Sequence, residues 1–241
     1  MKKIENSTIL TISTCVIASI AIVWIILITS CEVAIYADMD FYQREYEKYG
    51  VSENLNMEME DIMYVTEEMM LYLHSNREDL IVDTIVAGES REFFNESEIS
   101  HMEDVREIFA AGTSSRLGAI LIMIIFLLVA SRNKNKWKGM LAKSFLATTL
   151  VLGTVVGFIG ALFATNFTKY FTIFHEIFFE GDTWIFDLNT SLMINMLPEG
   201  LFYDFTARIV MVFMGMMLVA LATCVMLLTK NMKNKTKTVE K

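Results

Sequence analysis

The sequence predicts an all-α integral membrane protein, with four transmembrane helices and a mainly helical extracytoplasmic cap formed by two loops. Three observations predict it. Four apolar runs, about 8–31, 108–131, 141–165 and 207–229, reach spanning length. A span takes about 20 residues, because the hydrocarbon core is ~30 Å thick and a helix rises ~1.5 Å per residue. None of the runs alternates apolar and polar residues as a barrel strand must. Finally, the charge is sharply divided. Residues 1–7, 132–143 and 230–241 together hold twelve Lys/Arg against two Asp/Glu, while 33–113 holds five against twenty and 168–206 one against six. The basic segments belong on the cytoplasmic side. Both termini are therefore expected in the cytoplasm, with loops 34–107 and 166–206 extracytoplasmic and all 241 residues in a single membrane domain.

The same division excludes other classes. No basic stripe is present, so no nucleic acid is expected as a partner. Cys15, Cys31 and Cys224 sit in or beside apolar runs without a CxxC pattern, which points to neither a disulfide framework nor a cysteine metal site. Ile28-Thr29-Ser30-Cys31 has the look of a lipobox, but the apolar run before it is longer than a signal h-region of about 7–15 residues. It is read as a span.

The spans carry few functional signals. Gly153, Gly157 and Gly160 form a small-residue pattern expected to allow close helix packing. Arg116 lies about two turns into the second run, where an ionisable residue is costly. It is read either as snorkelling to the interface or as anchoring a carboxylate, phosphate or carbonyl oxygen. Arg208, at the mouth of the fourth run, raises the same question.

In the first loop, residues 57–73 repeat Ile62, Met69, Met70 and Leu73 at helical spacing, with Glu58, Glu60 and Asp61 in the first turn. His74 closes that helix. Residues 81–94 partly alternate and contain Gly88, a hairpin signal. Two capping boxes then compete: Ser100 with Glu103, and Asn95 with Glu98. A helix leading into the second span begins there, placing His101 in or near its first turn. The positive end of the helix dipole lowers an imidazole's pKa, and a neutral imidazole is a base at neutral pH.

In the second loop His175 stands among Phe171, Phe174, Phe178 and Phe179, whose apolar walls also disfavour an imidazolium. His175-Glu176 does not open a zinc-protease motif, because Phe179 occupies the second histidine's place. A looser metal site would need His101, His175 and Asp104 or Asp182. There is no GxSxG elbow.

The segments FHEIFFEGDTWIFD (174–187), FNESEISHMEDV (94–105) and the later Leu-Pro-Glu (197–199), on a four-span plan, resemble the lipoprotein intramolecular transacylase family of Gram-positive bacteria. The likeness extends to FYQREYEKYG (41–50). It departs at Leu188, where the family usually shows proline, and at Asn189 to Ser191. The resemblance implies an acyltransferase of the cell membrane. It would move the sn-2 acyl chain of a lipoprotein's diacylglyceryl group to the α-amine of the N-terminal cysteine, giving a lyso-form lipoprotein. It also implies that His101 and His175 are the catalytic pair.

On that reading the partners are a diacylated lipoprotein and membrane lipid, the protein is a monomer, and no cofactor or metal is required. One histidine takes the amine proton and the other protonates the departing glycerol oxygen; the apolar surround of His175 suggests it as the base. Arg116 or backbone amides near Gly181 would serve the oxyanion. Asp182, Trp184 and Asp187 would hold the loop. A covalent route through Ser100, Thr183 or Ser191 is the variant. The competing class is a non-enzymatic membrane sensor or assembly protein whose acidic loops bind a ligand.

Overall fold

The computed structural model describes residues 2–131, 137–179, 181 and 183–239. Four long helices are α1 (Lys2–Tyr36), α5 (Glu96–Ser131), α6 (Trp137–Thr165) and α9 (Glu199–Val239). Each contains a stretch long and apolar enough to cross a membrane. The helices outrun the apolar stretches. At ~1.5 Å per residue the 36 residues of α5 extend about 54 Å, well beyond a ~30 Å hydrocarbon core. Its charged first third, which includes Glu103, Asp104, Arg106 and Glu107, therefore lies outside the spanning part.

Between α1 and α5 come α2 (Asp40–Tyr49), α3 (Val51–Leu55), α4 (Met59–Leu73), β1 (Asp83–Val86) and β2 (Glu89–Glu92). Between α6 and α9 come α7 (Phe167–Phe178) and α8 (Leu192–Met196). The chain divides into two compact units: Met1–Cys31, Ser114–Ala161 and Val210–Lys241 form one, Glu32–Thr113 and Leu162–Ile209 the other.

In the first unit α1 supplies the close contacts. Cys15, Ala18 and Ser19 are fully buried, and Cys15 and Ala18 cluster with Phe126 and Ala130 of α5. Further along, Val23 and Ile26 meet Ala142 and Phe145 of α6 and Met217 and Cys224 of α9. Ser19 and Ser30 donate back to the carbonyls of Cys15 and Ile26, both at 2.7 Å, so their hydroxyls are satisfied inside the helix. The expected packing role of Gly153, Gly157 and Gly160 is not seen. A Cβ at any of them would meet nothing within 4 Å among the described residues. Small residues work at this interface, but on α1.

The second unit has its own core. Tyr42 and Tyr46 of α2, Ile62, Val65 and Met69 of α4, Phe93, Met196 of α8 and Leu201 of α9 are almost wholly buried. Tyr46 and Thr66 join their hydroxyls at 2.8 Å, and Tyr42 donates to the Ile35 carbonyl at 3.0 Å, so both phenols enter with a partner. The expected helix over 57–73 is α4, and the expected hairpin is β1–β2. Its turn places Ala87 and Gly88 both at positive φ (53° and 82°), the backbone of a primed two-residue turn. The start of α9 docks closely on α2. A Cβ on Gly200 would lie 2.5 Å from the Tyr49 ring, and Tyr49 donates to Asp204 at 2.6 Å.

Candidate active site

The N-terminus of α5 is set by Asn95 and Glu98. The Glu98 amide donates to Asn95 Oδ1 at 3.0 Å, and the Asn95 amide donates to Glu98 Oε2 at 2.8 Å. This reciprocal box uses the earlier of the two candidate pairs. Glu98 is also 0% exposed. Its other oxygen accepts the Ser191 hydroxyl and, at 3.0 Å, the Met193 amide. One buried carboxyl thus takes three donors, one from its own cap and two from the distant 191–193 segment, and Ser191 simultaneously caps α8. Sequence reading found Glu98 only as a cap. Its interaction with 191–193 has no local signature.

With α5 beginning at Glu96, His101 falls in the second turn, beyond the reach of the dipole invoked for it from sequence. It is instead held by burial. His101 is 7% exposed, and its Nδ1 is buried with no hydrogen-bond partner among the described residues. Burial, then the proximity of His175, pushes its pKa down to about 4.

His175 is on α7. Its Nδ1 lies 2.7 Å from the Phe171 carbonyl one turn earlier. A carbonyl only accepts, so Nδ1 carries the proton and the lone pair of the neutral ring is on Nε2. Burial lowers the pKa of His175 as well, partly offset by that carbonyl. His101 is the more buried of the two, the reverse of what the phenylalanines around His175 suggest in sequence.

The two rings are stacked, with centroids 6.1 Å apart and planes 25° apart. Phe179, 6% exposed, contacts both, at 4.7 Å from His101 and 5.2 Å from His175. Phe171 lies edge-on to His175 at 4.3 Å, Trp184 lies 5.2 Å from it, and Phe186 lies 5.5 Å from His101. All six line a cavity of about 470 Å³, whose remaining walls are chiefly Met, Leu, Ile and Phe. The size suits a small molecule or one long apolar group. Among the described residues Glu199 is the one carboxylate in the lining, and it accepts from Thr168 Oγ1 at 2.6 Å.

The other expected residues divide. Trp184 is in the lining. Asp182 lies outside the described residues. Arg208 pairs with Asp38 at 3.2 Å, with its guanidinium 4.4 Å from the Phe41 ring centre, so it braces the start of α9 rather than facing the cavity. Arg116 is half-buried on α5 and does not line the cavity. Ser191, a candidate acyl acceptor, is 2% exposed and donates to Glu98; Ser100 is exposed and, like Thr183, is not in the lining. Asp187 organises its own turn, accepting the Asn189 amide on Oδ1 at 2.9 Å. Among the described residues, no group of three His, Cys, Asp or Glu is arranged to hold a metal.

Comparison with known proteins gives one family. A family model described as lipoprotein intramolecular transacylase Lit matches residues 16–202. The crystal structure of Lit from Bacillus cereus superposes with a TM-score of 0.72 at 20% identity, covering 95% of this chain and 98% of that one. Two structures of the same protein with a histidine replaced by arginine or by alanine each give 0.71 at 19% identity. Among curated proteins there is no match.

Proposed function

The chain belongs to the lipoprotein intramolecular transacylase family and is a membrane acyltransferase, and on that premise we propose that His101 and His175 together move an acyl chain within one lipoprotein. The chain leaves the sn-2 oxygen of the diacylglyceryl group and joins the α-amine of the N-terminal cysteine. The observation that carries this assignment is the stacking of the two imidazoles across a cavity with apolar walls.

The substrate brings ester and amine on the same residue, so much of the entropic barrier is met before the enzyme acts. What remains is proton management. The amine, having lost its first ammonium proton to solvent, attacks the ester carbonyl and forms the N–C bond. His175 Nε2 takes the second proton. As the bond from carbonyl carbon to glycerol oxygen breaks, His101 delivers a proton to that oxygen from one ring nitrogen and is reprotonated from His175 on the other. The pair holds one positive charge at a time, in keeping with the way His175 disfavours protonation of His101. General acid–base help of this type contributes typically ~10²–10⁴-fold. The apolar walls exclude competing water.

The charge division supports cytoplasmic termini and a site at the extracytoplasmic face, where diacylated lipoproteins are exposed. The test is replacement of His101 and His175 singly by alanine, with the N-terminus of a reporter lipoprotein read by mass spectrometry. Loss of the lyso-form product is expected for each. Normal product from either variant removes that residue from the mechanism.

A further inference from the structure

The helix bearing His175 is unusual in the second unit. It has no buried residue: Phe171 and Phe174 line the cavity, and the other apolar side chains are only half-buried or exposed. On α7, Ile177 is 70% exposed and Phe178 55%; in the segment that follows, Ile185 is 59% exposed and Leu188 64%. Exposed to water, such a surface would be costly at ~25 cal/mol per Å² of apolar area.

The connection to α6 indicates what covers it. Asn166 alone separates α7 from α6, a helix apolar and long enough to span the membrane. Asn166 caps α7 by accepting the Lys169 amide at 3.0 Å. Phe163, in the last turns of α6, contacts Phe167 and Tyr170 at 5.9 and 5.7 Å. α7 therefore starts where the span ends.

The order of residues around α7 is amphipathic. At the helical period of 3.6, Ile173, Ile177, Tyr170, Phe174, Phe178 and Phe171 fall in sequence around one side. Thr168, Thr172, Glu176 and Lys169 fall on the other. His175 sits at a boundary, between Phe171 and Thr168.

We propose that α7 lies in the membrane interface on the active-site side, with Ile173, Ile177 and Phe178 among the lipid acyl chains. A helix of this kind sinks its apolar face about 5–10 Å into the boundary between headgroups and chains. A residue at the edge of that face is then held near the level of the glycerol esters. The base meets its ester at the depth where the substrate already resides, and the substrate's second acyl chain remains in lipid during reaction. The match to ester depth rests on the proposed reaction; the placement of α7 does not.

Spin labels at two neighbouring positions test it. Ile177→Cys and Glu176→Cys are each labelled with a nitroxide, in a background with Cys15, Cys31 and Cys224 replaced by alanine. The proteins are reconstituted in phosphatidylcholine/phosphatidylglycerol vesicles. Collision with oxygen, which partitions into lipid, should exceed collision with a water-soluble nickel chelate several-fold at 177, with the ratio inverted at 176. Equal access of the chelate to both positions overturns the proposal, as does exclusion of both reagents from 177. Neither measurement depends on turnover, so failure of the proposed reaction would leave this result standing.

Discussion

The imidazoles of His101 and His175 lie face to face at 6.1 Å, brought there by two helices far apart in the chain. The Phe171 carbonyl gives the pair its direction, because it fixes the His175 proton on Nδ1 at 2.7 Å. In ¹⁵N-labelled protein near neutral pH, His175 should show the Nδ1–H tautomer. Observation of the Nε2–H tautomer would remove His175 as the amine's base. His175→Asn and His101→Asn should each lower turnover by about 10²- to 10⁴-fold with little change in unfolding midpoint.

Acid should affect the enzyme later than an ordinary histidine would suggest. Both pKa values are lowered, that of His101 to about 4. On the proposed mechanism the neutral imidazoles are the working forms, so turnover referred to the fraction of substrate whose α-amine is neutral should persist as pH falls through ~6.5, the ordinary histidine value, and decline only below it. Stability should follow the same direction. Between ~6.5 and about 4 the unfolded chain binds a proton at His101 that the folded chain refuses, so this contribution is full above ~6.5 and is lost as pH falls towards 4. Thermal unfolding followed against pH should show a slope in that window that His101→Phe reduces. An unchanged slope in that variant would assign the effect elsewhere.

Glu98 should be more sensitive than a surface carboxylate. Its removal strands the Met193 amide and the Ser191 hydroxyl inside the protein and takes the cap from the exposed Asn95 amide. An unsatisfied buried group costs about 1–3 kcal/mol. Glu98→Ala should therefore lower stability by about 3–5 kcal/mol, and Ser191→Ala by about 1 kcal/mol. Chemical unfolding in detergent measures both. Equal effects from the two variants would contradict this hierarchy.

Gly200 should not tolerate a methyl group. The Cβ of alanine would press on the Tyr49 ring, whose hydroxyl is committed to Asp204 at 2.6 Å. Gly200→Ala should cost about 1–3 kcal/mol through overpacking. Adding Tyr49→Ala should make the pair less harmful than the sum of the single changes. Strict additivity would show that the close approach is unimportant.

Much of this protein follows from local pattern. The four long helices come from apolar runs of spanning length, and α4 from the spacing of Ile62, Met69, Met70 and Leu73. The β1–β2 hairpin comes from alternation around Gly88, where a positive φ favours glycine. These features are legible because a helix, a tight turn and a membrane span are decided by residues within a few positions of one another. Both histidines stood out through their neighbours and their likeness to a known family.

Features that depend on distant partners were not legible. Asn95 rather than Ser100 starts α5, because Glu98 is drawn inward by Ser191 and Met193 as well as by its cap. That choice moves His101 into the second turn, so burial rather than the helix dipole depresses its pKa. Arg208 serves Asp38 and Phe41, and the small residues that pack closely are those of α1, not Gly153, Gly157 and Gly160.

By itself the sequence determined the membrane class, the helical elements and the two imidazoles, since hydrophobic length, period and residue identity are properties of short stretches. The tertiary structure alone decided that His101 and His175 meet, which of them is more deeply buried, and which nitrogen of His175 carries its proton. Those outcomes depend on side chains brought together by packing, and no local pattern encodes a partner on another helix.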